Sequence, residues 1–300
     1  MVAFFLQYLQ YQKRRSPHTI RAYSDDLTQF VQFQSDTFLL PPENANKSNI
    51  RQWIIQLKTQ GLAETSINRK ISTLRAFFDF LVREGKLEVN PTRTVSSLKK
   101  PKRLPVYVRE NKLVHMLENL EFSSDFSGLR DKLILELFYG TGIRLAELIS
   151  LQWDSISFTG KTVRVIGKRN KERIIPLHDN LIAILHQYRD SIETTLPNLS
   201  SKFLILTDKG KPAYPVLIER IVKKYLSLVM TEKKKSPHVL RHTFATHLLA
   251  SGAEINSIKE LLGHSSLAAT QVYAHNSAEQ LKKAYSLAHP RARKSVEGEI

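Results

Sequence analysis

The chain contains no cysteine, which excludes disulfides and thiolate-bound metal and leaves nothing that points to secretion. It also lacks any uninterrupted apolar run of the roughly 18 residues needed to cross a bilayer. The apolar opening from Val2 to Leu9 comes before its basic cluster, Lys13, Arg14 and Arg15. A secretory signal has its positive charge first, so this stretch reads as an amphipathic helix and the cytoplasm is the default location. No internal repeat and no low-complexity tract is found. There is no Walker-type glycine loop, and no carboxylate cluster suited to two magnesium ions, which argues against a metal-dependent nuclease. No cofactor and no metal are expected.

Acidic residues are the scarce charge. The 300 residues carry 45 Lys and Arg against 28 Asp and Glu, a formal net charge of +17. Such an excess implies a polyanionic partner. Nucleic acid comes first; an anionic membrane comes second and is weakened by the missing span. A hydrophobic fraction of 42% is ordinary for a packed protein, and the length suggests two domains.

The first third shows four helical patterns. The second opens at Ser16-Pro17, an N-cap followed by proline at the first helical position, and carries Ile20, Tyr23, Leu27, Phe30 and Val31 on its apolar face. Two further patterns cover about 48–59 and 63–84, the latter with Ile67, Ile71, Leu74, Phe77, Phe78 and Leu81 at helical spacing. Arg69, Lys70 and Arg75 lie between these apolar residues. Singly each reads as a solvated charge; together they suggest a DNA-facing surface. From Asn90 to Pro105, prolines and the cations Lys99, Lys100, Lys102 and Arg103 break any helical period. The expected organisation is therefore a domain over 1–90, a basic linker over 91–106 and a second domain over 107–300. A basic tether between two basic domains would let the chain close on a duplex as a C-shaped clamp.

Beyond the linker, helical patterns near 109–120 and 128–139 lead to Gly140-Thr141-Gly142, read as a helix stop before Arg144 opens the next helix. Segments around 154–158, 162–167 and 172–176 alternate as the strands of a small antiparallel sheet. Helical patterns return near 179–194, 214–229, 237–250, 254–262 and 267–274, with a short apolar strand at Phe203 to Leu206. The fold class expected is mainly α: a four-helix N-terminal domain and an α+β second domain with a three-stranded antiparallel sheet.

Candidate chemistry gathers late in the chain. In Ser236-Pro237-His238-Val239-Leu240-Arg241-His242, serine is placed to cap a helix, and His238 and Arg241 share a face beside its positive end, an anion site. The alternative is a histidine capping its own helix with a surface arginine nearby. Zinc is the weaker reading for His238, His242 and His247, because no His-Glu-x-x-His pattern is present and His247 falls on another face. Gly263 ends a helix and leaves His264 on a tight corner, and Tyr273 follows nine residues later. Taken alone, Tyr273 reads as a packing residue with its hydroxyl at the surface.

These residues together closely resemble the tyrosine recombinases, and within them the Xer group that resolves chromosome dimers. The resemblance is carried by Ser16-Pro17-His18-Thr19-Ile20-Arg21-Ala22-Tyr23, Gly142-Ile143-Arg144-Leu145-Ala146-Glu147-Leu148, Val165-Ile166-Gly167-Lys168-Arg169-Asn170-Lys171-Glu172-Arg173, His238-Val239-Leu240-Arg241-His242, Leu262-Gly263-His264-Ser265-Ser266 and Ala288-His289-Pro290-Arg291-Ala292, in order and nearly end to end. It implies a SAM-like core-binding domain ahead of a catalytic domain. It further implies catalytic arginines at Arg144 and Arg241, a lysine at Lys168, histidines at His238 and His264, and the nucleophile at Tyr273. Glu147 reads either as an anchor for Arg144 or as a helix surface charge. The implied partners are a double-stranded DNA recombination site, fellow protomers in a homo- or hetero-tetramer with a possible paralogous Xer partner, and a septal FtsK-type DNA translocase. The segment from Ser277 to Ala288, with Leu281, Ala284, Tyr285 and Ala288 in a narrow stripe, must bury that stripe on its own domain or elsewhere, and the resemblance implies docking on a neighbouring subunit. A phage or transposon integrase and a type IB-like topoisomerase share this chemistry. The chain opens directly in the core-binding helices, which favours the Xer reading. A basic DNA-binding protein without catalysis would leave the six aligned residues unexplained.

Overall fold

The computed structural model describes residues 1–99, 106–119, 122–167, 170–197, 199–263, 285–286 and 288–293. Lys168, His264, Tyr273, the helix expected over 267–274 and most of the expected docking segment lie outside them. The chain divides into two compact units, Met1–Arg103 and Leu104–Ile300.

The first unit is helical. Helix α1 (Val2–Gln7) continues into a π-turn at Tyr8–Gln12, and α2 (Pro17–Phe38), α3 (Lys47–Thr59) and α4 (Glu64–Arg83) follow. The Ser16 hydroxyl caps α2 by accepting the Thr19 N–H at 3.3 Å. The six apolar residues expected on α4 are all fully buried. On α2 the buried stripe is Asp26, Leu27, Phe30, Phe33 and Gln34, while Ile20, Tyr23 and Val31 are only half-buried. Aromatic contacts close the core, with Phe5 edge-on to Phe77 at 5.6 Å and Phe30 against Trp53 at 4.9 Å.

Among the cations of α4, Lys70 departs from expectation. Lys70 is buried, its Nζ 2.8 Å from Asp26 Oδ1 and 2.6 Å from Gln29 Oε1. Asp26 also accepts Arg69 Nη1 at 2.5 Å and the Thr73 hydroxyl at 2.8 Å. A buried carboxylate needs such partners, and it draws in Lys70, which amphipathic spacing assigns to the surface, while Arg69 reaches it from an exposed position. Arg75 donates to Val95 O at 2.5 Å, and the Asn68 side-chain amide pairs with both the N–H and the C=O of Leu98. Residues 90–98 of the stretch expected as a tether are thus pinned against α4.

The second unit holds α5 (Glu110–Asn119), α6 (Phe126–Thr141) and α7 (Leu145–Ser150). The strands β1 (Ile156–Ser157), β2 (Thr162–Ile166) and β3 (Glu172–Pro176) come next. They are followed by α8 (Asp179–Thr195), α9 (Pro215–Val229), α10 (Pro237–Ala250), α11 (Ile255–Leu262) and α12 (Pro290–Arg293). The sheet is antiparallel in the order β1-β2-β3, with Ile156 opposite Val163 and Thr162 opposite Pro176. Helix α6 is apolar on nearly every side and is buried along most of its length, packed against α8 and α10. The expected strand at Phe203 to Leu206 is reduced to isolated bridges, Gln152 to Phe203 and Leu206 to Pro212. Gly140 does not stop α6 but lies inside it, where an added Cβ would sit 3.2 Å from His178 Nε2.

The described part of the C-terminal segment packs on its own domain. Tyr285, Ala288 and Ala292 belong to this unit's own core. Tyr285 donates to Gly140 O at 2.8 Å, His289 Nε2 lies 3.1 Å from Tyr139 O, and Arg291 pairs with Glu136 and, at 3.0 Å, with Glu118. Of the stripe expected to dock on a neighbour, Tyr285 and Ala288 are buried in this unit's own core, while Leu281 and Ala284 lie outside the described residues.

Candidate active site

Two glycines shape the site. Gly142 ends α6 in the left-handed region at φ 59°, and an added Cβ would lie 2.5 Å from Phe244 Cδ1 and 2.9 Å from Leu262 Cδ2. Two residues later Arg144, in extended conformation, takes the N-cap position of α7. Gly263 ends α11 at φ 63°, exposing the carbonyls of that helix's last turn.

Three arginines from three elements meet those carbonyls. Arg173, on β3, donates Nε to Leu261 O at 2.8 Å. Arg241, on α10, donates Nη2 to Leu262 O at 2.6 Å and Nη1 to Gly142 O. Arg144 donates Nη2 to Gly263 O at 3.2 Å. The C-terminal end of a helix carries partial negative charge, which helps such cations sit together.

One carboxylate ties the group. Glu147, almost fully buried, receives the Arg144 amide and Arg144 Nη1, each at 2.8 Å, and both terminal nitrogens of Arg173 at 3.0 and 2.8 Å. Burial pushes its carboxyl up, but the hydrogen bonds from Arg173 and the Arg144 amide prevail and hold it at about 2. Arg241 is pulled down to about 10, by burial first and by the Arg144 charge second, and remains protonated at neutral pH. The described site therefore sets three guanidinium groups against one carboxylate, a standing positive charge. Arg144 and Arg241 each direct two N–H groups into protein, and among the described residues the others of their five donors meet no partner.

The chain matches known proteins in sequence and in fold. Residues 107–280 match the phage integrase family, and residues 2–85 match the phage integrase N-terminal SAM-like domain. The tyrosine recombinase XerC of Thermodesulfovibrio yellowstonii is 37% identical over 291 residues, covering 95% of this chain and 95% of its own length. The tyrosine recombinase XerD of Staphylococcus aureus is 37% identical over 292 residues, covering 96% and 98%. The chain belongs to the phage integrase family of tyrosine recombinases. A crystal structure of XerH site-specific recombinase bound to a palindromic difH substrate shares the fold, with a TM-score of 0.72 at 20% identity over 95% of this chain and 84% of that one.

Of the residues expected at this recombinase's site, the structure brings Arg144 and Arg241 together and places His238 in the first turn of α10, exposed to solvent. Ser236 holds the N-cap position but makes no side-chain capping bond, and its buried Oγ has no partner among the described residues. His247 is drawn into the core instead, Nε2 2.9 Å from Val108 O and Nδ1 3.0 Å from Tyr139 Oη. Among the described residues, no group of His, Asp and Glu is placed to hold a metal ion, and no helix is long and apolar enough to cross a membrane. Between its two readings, Glu147 is the anchor. Arg173 was not singled out by sequence; its only signal was its place at the end of the family-like hairpin stretch.

Proposed function

We propose that this recombinase cuts and rejoins DNA through a 3′-phosphotyrosyl intermediate, with Tyr273 as nucleophile. The observation that carries this reading is the convergence of Arg144 and Arg241 on the carbonyls that end α11, with Arg144 held by Glu147. Their donors not engaged by the described residues suit the two anionic non-bridging oxygens of a pentacoordinate phosphorus. The Tyr273 oxygen attacks phosphorus and the P–O5′ bond breaks. The tyrosine proton passes to His238, and Lys168 protonates the departing 5′ oxygen. His264 adds a donor to the phosphate. A second 5′-hydroxyl then attacks the phosphotyrosine, restoring a phosphodiester and the free tyrosine. One ester is exchanged for another, so no nucleotide triphosphate is consumed.

The reading extends to chromosome-dimer resolution in the cytoplasm. Four protomers would act on two DNA sites, with activation by a septal translocase of the FtsK type. The similarity of the chain to XerC and XerD relatives at equal identity supports the Xer role, with or without a paralogous partner. The deciding experiment incubates the full chain with fragmented genomic DNA in excess EDTA, captures covalent adducts and sequences them. The expected result is one recurrent site bearing protein on a 3′-phosphate, and no adduct from Tyr273→Phe, which still binds that site. Adducts from Tyr273→Phe, or strict dependence on divalent metal, would overturn the mechanism.

A further inference from the structure

Arg173 links Glu147 to the end of α11. Its side chain is 10% exposed. Its two-pronged pair with Glu147 fixes the plane of that carboxylate, and the same carboxylate holds Arg144 through both amide and guanidinium. Glu147 cannot turn without breaking the Arg173 pair. On its other side, Arg173 grips Leu261 O, adjacent to the Leu262 and Gly263 carbonyls that Arg241 and Arg144 engage.

Two glycines show how closely the surroundings are moulded to it. A Cβ on Gly263, the residue before His264, would sit 3.2 Å from Arg173 Cδ. A Cβ on Gly167, the residue before Lys168, would lie 3.4 Å from Glu147 Oε1 and 3.5 Å from Arg173 Nη1. The hairpin base closes beside the pair through Gly167 N to Lys171 O at 2.8 Å. Asn170, at φ 58°, supplies a left-handed turn residue that asparagine tolerates.

We propose that Arg173 is a positioning residue for strand cleavage: through Glu147 and the end of α11 it holds Arg144 and Arg241 in one geometry, while its own engaged donors all face protein. Lysine in its place would keep a charge near Glu147 but lose the planar fork and the simultaneous reach to Leu261 O. Arginine is required because three bonds in two directions leave from one rigid group.

The inference rests on the phosphotyrosyl reading, and its test separates the two. Full-length wild type, Arg173→Lys and Arg173→Gln are compared on a nicked duplex carrying the site recovered from covalent adducts. The scissile phosphate is either an ordinary phosphodiester or a methylphosphonate, in which a methyl group replaces one non-bridging oxygen and removes the charge. Misaligned arginines matter most where that charge is present. Arg173→Gln is expected to bind DNA as wild type does but to form adduct about 10²-fold more slowly on the phosphodiester, the scale of a displacement near 1 Å. On the methylphosphonate the loss should shrink to about 10-fold or less, since one anionic oxygen fewer needs stabilising. Arg173→Lys should fall between, with the same preference for the neutral substrate. Equal losses on both substrates would mean a merely structural role and overturn the proposal, as would a wild-type rate on the phosphodiester. If thermal unfolding shows that Arg173→Gln does not fold, the lysine variant decides by the same ratio. Failure of wild type to form any adduct would sink the functional reading, and this inference with it.

Discussion

Arg144 and Glu147 close on each other twice, the Arg144 amide 2.8 Å from Glu147 Oε2 and its Nη1 2.8 Å from Oε1. The carboxylate that caps the start of α7 is therefore also the one that aims the arginine at its N-cap.

Stability should follow that carboxylate in acid. Glu147 sits at about 2 in the fold against an ordinary 4.5. The folded value is the lower one, so its contribution is complete above pH 4.5 and is lost as pH falls towards 2. Glu147→Gln should cost about 3 kcal/mol at neutral pH, the low end for breaking a buried pair. Urea unfolding of both proteins from pH 7 to pH 2 should show that gap closing on acidification; a gap independent of pH would contradict the assignment.

The two arginines should be needed for chemistry and dispensable for recognition. Arg144→Ala and Arg241→Ala are each expected to slow covalent adduct formation by about 10² to 10³ while gel-shift affinity stays near wild type, since each removes one stabiliser of transition-state charge. Affinity falling in step with the rate would point to a binding role instead.

Gly142→Ala should damage fold and site together. Alanine at φ 59°, with a Cβ 2.5 Å from Phe244, costs upwards of about 1–3 kcal/mol. The shift would also move the Gly142 carbonyl away from Arg241. A lowered melting temperature with slowed adduct formation is expected, and an unchanged melting temperature would show the packing to be looser than described.

The general acid can be isolated chemically. Lys168→Ala should fail on an ordinary phosphodiester and recover on DNA with a 5′-bridging sulfur, because a thiolate leaves without a proton. Cleavage that stays slow on the sulfur substrate would remove Lys168 from that role.

The C-terminal segment should behave as core. Arg291→Ala strands Glu136, whose carboxyl burial pushes up even with Arg291 beside it. The expected loss is about 3–5 kcal/mol, as for other broken buried pairs. Truncation after Asn276 should lower the melting temperature further by removing Tyr285 and His289 from the core. A truncated chain melting with the full-length protein would restore docking on a neighbour as the segment's main role.

The helices of the first unit, the three short strands and the stops at Gly142 and Gly263 were legible because each depends on local period, capping and backbone freedom. The same period misassigned Lys70: nothing nearby in sequence reveals that Asp26 is buried and must be neutralised. Glu147 could be read two ways for the same reason, since a glutamate three residues into a helix looks alike whether it faces water or two arginines. Composition and motif order determined that this chain is a recombinase that handles DNA. Only the tertiary structure decided that Arg173 stands with Arg144 and Arg241, and that Tyr285 and Arg291 are core, because those assignments follow from which distant buried groups must satisfy one another's charge and hydrogen bonds.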